Sequence, residues 1–123
     1  MGLRNLFTRR TPELRREPRL EFLGEQDGPN ERELKAALIR VLDEVGSVEM
    51  AYLARVGFHP AAPPSVALCV RASAGVEHAI VRRVNEVTYE MLPRDAFLDV
   101  VFLSLEQQQE LASVCSRFYP PTV

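Results

Sequence analysis

Cys69, His59, His78 and Asp99 are the side chains with the chemistry of a nucleophile, a base and an orienting acid. A thiolate–imidazole couple needs sulfur and ring nitrogen within hydrogen-bond reach, with a third group holding the base. Cys69 stands mid-run between Leu68 and Val70, where a thiol packs rather than reacts. His78 follows Glu77 at the start of a helical stretch and reads as a surface residue. No Gly-rich phosphate loop, nucleophile elbow or paired-carboxylate motif accompanies them. No CxxC pair, HExxH motif or paired histidines occur either. The expectation is a chain with no catalytic residues, no metal and no cofactor. The second cysteine, Cys115, falls on an apolar helix face. Both thiols therefore read as small buried hydrophobes, with a disulfide or redox role as the alternative.

Charge offers a different chemistry. Residues 1–20 hold six arginines against two glutamates, a net +4, while the remainder holds nine basic and fifteen acidic residues, a net −6. Arg4, Arg9, Arg10, Arg15 and Arg16 form an arm able to meet an anionic surface. The arm has Phe7 but no tyrosine or tryptophan, so it lacks the aromatic interleaving of a single-strand binder, and nucleic acid is not the expected partner. Leu3, Leu6 and Phe7 allow a short amphipathic turn, a weak signal for contact with a membrane surface. Residues 8–19, polar with two prolines, read as a linker, so residues 1–19 form a basic tail ahead of one domain over residues 20–121. The tail can equally pair with the acidic body of its own molecule.

The elements come from periodicity. Ser47–Phe58 alternates as a strand, with Val48, Met50, Tyr52, Ala54, Val56 and Phe58 on one side and Glu49, Ala51, Leu53 and Arg55 on the other. Ser65–Arg71 is a short, nearly continuous apolar run, the pattern of a central strand. His59–Pro64 between them holds three prolines, which stiffen the tip and withhold donors. Leu20–Leu23 reads as an edge strand ended by Gly24. A helix capped by Asn30 runs to Val45, with Leu34, Leu38, Val41, Leu42 and Val45 on one stripe and Gly46 as its stop. A second helix from Val76 buries Val76, Ala79, Ile80, Val84, Val87 and Met91 and ends at Leu92-Pro93; Arg82 and Glu86 form a surface pair on it. Phe97–Leu103 is a strand. Ser104-Leu-Glu-Gln107 is a capping box for a last helix lined by Leu111, Val114, Cys115 and Phe118.

The order predicts an α+β fold, an antiparallel sheet of ferredoxin-like (β)αββαβ order with an added C-terminal helix. Two helices would cover one sheet face. The other, carrying Ala51, Leu53, Ala67 and Cys69, is too apolar for water, so either the last helix or a second molecule must cover it.

Ala51-Tyr-Leu-Ala-Arg-Val56, Pro64 before an apolar strand, Leu92-Pro93 ahead of Leu98-Asp-Val-Val101, and Arg117-Phe-Tyr119 together resemble the C-terminal domain of the bacterial enhanced serine sensitivity (SseB) family. The resemblance spans about Leu20 to Tyr119. Two departures stand out: a basic tail takes the place of the family's N-terminal domain, and Arg117 replaces the usual proline. The family implies a non-enzymatic accessory or regulatory protein, with no catalytic motif to carry over; the cytoplasm is the expected location because the sequence shows neither a secretory signal nor a transmembrane run. The leading expectation is a protein-interaction or regulatory module, self-associating or binding a protein partner through Ala51, Leu53, Ala67 and Cys69 or through Phe118 and Tyr119. A small-molecule sensor is the alternative, with an amino-acid carboxylate held by backbone N–H groups near Ala74 and Gly75. Anionic-surface binding by the arginine arm is the third.

Overall fold

The computed structural model describes residues 20–58, 64–94, 96 and 98–121. Strand β1 (Leu20–Glu25), helix α1 (Pro29–Val45), strands β2 (Val48–Phe58) and β3 (Ser65–Ala72), helix α2 (Glu77–Met91), strand β4 (Asp99–Phe102) and helix α3 (Leu105–Ala112) follow in that order. The expected α+β order is present. The expectation for the proline-rich tip lies outside the described residues, as does that for the arginine arm.

The sheet runs β1-β2-β3-β4. β1 and β3 pair antiparallel with β2, but β4 pairs parallel with β3, Ala67 opposite Asp99 and Val70 opposite Phe102. The fully antiparallel sheet expected from the sequence is therefore corrected to a mixed one. Parallel neighbours need a long crossover, and α2 supplies it. Gly24 does not end β1; it sits at a register shift after Phe22, and the strand continues to Glu25.

Helix α1 buries Leu34, Leu38, Val41 and Leu42, and α2 buries Ile80, Val84 and Thr88. Both stripes meet Ala51, Leu53, Leu68, Val70, Leu98 and Val100 in the larger core. Burial of each large aliphatic chain is worth about 1.5–3 kcal/mol gross, so this face dominates the favourable side of folding. Met91 shares the angular position of Ile80 and Val84 but is the last residue of α2, and at the helix end it is 40% exposed rather than buried. Pro29 starts α1 two residues earlier than a cap at Asn30 would, because its fixed φ suits the first helical position; Gly28 is the N-cap, without a side-chain cap. Gly46 ends α1 at φ +75°, a conformation costly for a residue with a Cβ.

The opposite sheet face carries Phe22, Tyr52, Ala54, Val56, Ala67, Cys69 and Val101, and Leu111 and Cys115 pack into the same cluster. The last helix does help cover this face. It is shorter than its apolar pattern suggests: the capping box forms, with Gln107 N donating to Ser104 Oγ and Ser104 N donating to Gln107 Oε1, but the helix stops at Ala112. Val114, expected on its buried side, is 46% exposed.

The candidate functional site at the β2 edge

Antiparallel pairing puts opposed residues on the same face. Here Ala51 opposes Val70, Tyr52 opposes Cys69, Leu53 opposes Leu68 and Ala54 opposes Ala67. Odd-numbered β2 residues thus share a face with even-numbered β3 residues. The expected patch of Ala51, Leu53, Ala67 and Cys69 is corrected on this ground. Ala51 and Leu53 face α1 and α2, Ala67 and Cys69 face the other way, and all four are fully buried. They form no surface on which a second molecule can sit.

One of the four, Ala51, does meet the other expected interface residues, by an edge rather than a face. β1 covers β2 from Phe58 back to Ala54, and Gln26 N then donates to Leu53 O at 3.1 Å. Beyond that point the edge of β2 takes the C-terminal segment. Ala51 N donates to Tyr119 O at 3.0 Å, while Ala51 O accepts from Phe118 N at 3.0 Å and from Tyr119 N at 3.3 Å. Ala51 and Tyr119 make an antiparallel bridge.

Residues 116–119 form a strap, because they cross the sheet edge. Cys115 packs into the cluster on the α3 side, and its thiol donates to Leu53 O at 3.6 Å. Phe118 and Tyr119 pack against the cluster on the α1 side. One helix stripe would keep Cys115 and Phe118 together. Their placement on opposite sides is the physical reason that α3 cannot run on to Phe118.

Side chains from α1 and β1 complete the seat. Tyr119 Oη donates to Asp43 Oδ1 at 2.7 Å. That bond favours the neutral phenol and raises its pKa above the usual tyrosine value, with burial and the Asp43 charge adding to it. Lys35 Nζ lies 5.9 Å from the Phe118 ring centre, within cation–π range. The same ammonium pairs with Glu25 at 3.2 Å and Asp27 at 3.7 Å. Glu25 Oε1 in turn accepts from Ser116 N at 3.3 Å. Asp43, Lys35 and Glu25 carry no sequence signal for this role: Asp43 and Glu25 sit on exposed positions, Lys35 is a charged residue flanking the buried stripe of α1, and Asp43 is 76 residues from its partner.

The other candidate residues stay apart. Cys69 lies on the α3 side of the sheet, whereas His78 is exposed on α2, which packs on the opposite side. Burial raises the Cys69 thiol well above its ordinary value, aided by the nearby Cys115 and Asp99. Cys115 is pushed up to about 11, again chiefly by burial. Both cysteines are free, and at neutral pH both hold their protons. Asp99, 2% exposed, accepts from Ser65 Oγ at 3.0 Å. His59 lies outside the described residues. Glu86, expected to pair with Arg82, pairs with Arg83 at 3.2 Å, and Arg83 also reaches Glu44.

Ala74 and Gly75 form an exposed turn before α2, with Gly75 at φ +97°. Glu77 already places a carboxylate in the first turn, where it complements the positive helix end and repels a second anion. Among the described residues no group of three or more metal-binding side chains occurs, and no helix is long and apolar enough to cross a membrane.

No curated protein and no solved structure matches the chain. The family model for the SseB protein C-terminal domain matches residues 24–120, a span that runs from β1 through the Phe118-Tyr119 strap. The chain belongs to the SseB C-terminal domain family.

Proposed function

We propose that this domain is a non-catalytic protein-interaction module of the bacterial cytoplasm, regulatory in role, which binds an extended segment of a partner protein along the edge of β2. The observation that carries this reading is the bridge between Ala51 and the Phe118-Tyr119 strap. In that bridge the edge already accepts an extended aromatic segment. Strand addition of this kind draws affinity from main-chain hydrogen bonds and specificity from the side chains beside them. Asp43 and Lys35 supply that specificity, one for a phenol and one for an aromatic face. The buried, proton-holding thiols fit a reducing compartment.

The test is fluorescence anisotropy with a labelled peptide of residues 115–121, titrated into the full chain and into its Tyr119→Ala variant. The variant loosens the chain's own strap, so saturable binding at least several-fold tighter than to the wild type is expected. Adding Asp43→Lys should abolish the gain. No saturable binding to the variant at millimolar concentrations would refute the reading.

A further inference from the structure

The seat on β2 is filled, and this restricts what can use it. An incoming segment must displace a strap held by three backbone hydrogen bonds to Ala51, by Tyr119 Oη on Asp43, by Ser116 N on Glu25 and by the Lys35–Phe118 contact. A foreign segment has to replace all of these. A second copy of this chain brings the same donors to the same carboxylates, and its own vacated seat receives the displaced strap. Reciprocal exchange therefore returns every contact that it breaks.

We infer that the partner for this edge is a second copy of the chain, in a two-fold dimer whose C-terminal straps cross over, each Phe118-Tyr119 seated on the partner's β2. This rests on the reading of the β2 edge as a binding seat. None of the contacts depends on which copy supplies the strap. The complementarity is one of charge and donor type: the Asp43 and Glu25 carboxylates meet an O–H and an N–H, and the Lys35 ammonium meets a ring. The segment that must swing out is short. Ser113, Val114, Ser116 and Arg117 are exposed, the buried Cys115 between them must release its thiol contact with Leu53 O, and the turn after α3 is closed by local bonds from Ser113 N to Glu110 O and Val114 N to Leu111 O. Exchanging an identical terminal element is a low-cost route to a dimer. Its population rises with protein concentration, since the seat's own strap competes at the high effective concentration of a short tether.

The test pairs two full-length variants, Asp43→Lys and Tyr119→Glu, by light scattering. Each alone mismatches its own latch, the first by a lysine facing the phenol and the second by a glutamate facing Asp43. The wild type is expected to move from 13.9 kDa toward twice that mass with concentration. Each variant alone should lose the dimer, and an equimolar mixture should regain it, because the altered seat of one copy takes the altered strap of the other. Recovery in the mixture is independent of any loss of stability in either variant. A wild type that stays monomeric at every concentration, or a dimer indifferent to both substitutions, overturns the inference. If the monomeric protein still binds the residue 115–121 peptide, the edge remains a seat for another protein. If it binds no peptide either, both readings fall.

Discussion

Ala51 gives both of its main-chain hydrogen-bonding groups to the strap, its N–H to Tyr119 O and its carbonyl to the Phe118 and Tyr119 N–H groups, 3.0–3.3 Å away. A fully buried alanine of the central sheet is thereby tied to the last few described residues of the chain. Without the strap, those two groups would lie on an open edge, a template for pairing with other chains.

The Tyr119–Asp43 bond is the side-chain half of this tie. Tyr119→Phe keeps the ring and removes the donor, and should cost about 0.5–1 kcal/mol, the lower part of the range for a partly exposed hydrogen bond. Asp43→Asn combined with Tyr119→Phe should cost less than the two single changes added together. Urea denaturation of the four proteins measures the coupling, and strict additivity would show that the bond contributes nothing.

The same pair sets an alkaline limit. The phenol pKa is raised in the folded state, first by its bond to Asp43. The stability it contributes is thus complete below the unfolded tyrosine value of about 10 and is lost as pH rises through the higher folded value. Tyrosinate absorbance should show a late-titrating phenol in the wild type that is missing in Tyr119→Phe. An unchanged titration curve would place the phenol in water.

Leu38 has no exposed surface and lies in the α1 stripe of the larger core. Leu38→Ala should cost about 2–5 kcal/mol, transfer and cavity terms together. The urea midpoint should fall with the slope unchanged. Because the native state is stable by only about 5–15 kcal/mol, this one change removes a large share.

Cys69 and Cys115 are free, buried and protonated at neutral pH. A thiol-reactive chromophore at pH 8 should label neither in the native protein and both in denaturant. Stoichiometric labelling of native protein would contradict the placement of α3 over that sheet face.

What the sequence conveyed depended on how local the signal was. The stripe Leu34–Leu38–Val41–Leu42 and the Ser104–Gln107 box are fixed within a few residues, and each appears as read. The sheet faces were harder to read, because alternation along β2 shows two sides but not which side matches which in β3. That depends on the register through the proline-rich connection, and a shift of one residue exchanges the faces. Pairing Ala51 with Val70 rather than with Cys69 is such a shift. The parallel β4 was likewise invisible, since a four-residue apolar strand reads the same in either direction. Phe118 and Tyr119 were singled out from the sequence, yet their seat was not, because Asp43, Lys35 and Glu25 are charged residues of distant elements.

The proposed function requires that β2 offer, at Ala51, an edge seat that one extended segment at a time can occupy. Amide hydrogen exchange of Ala51 tests it most directly. Slow exchange is expected in the wild type, with marked acceleration in Tyr119→Ala and renewed protection when the residue 115–121 peptide is added. An Ala51 amide that exchanges equally in all three samples would contradict it.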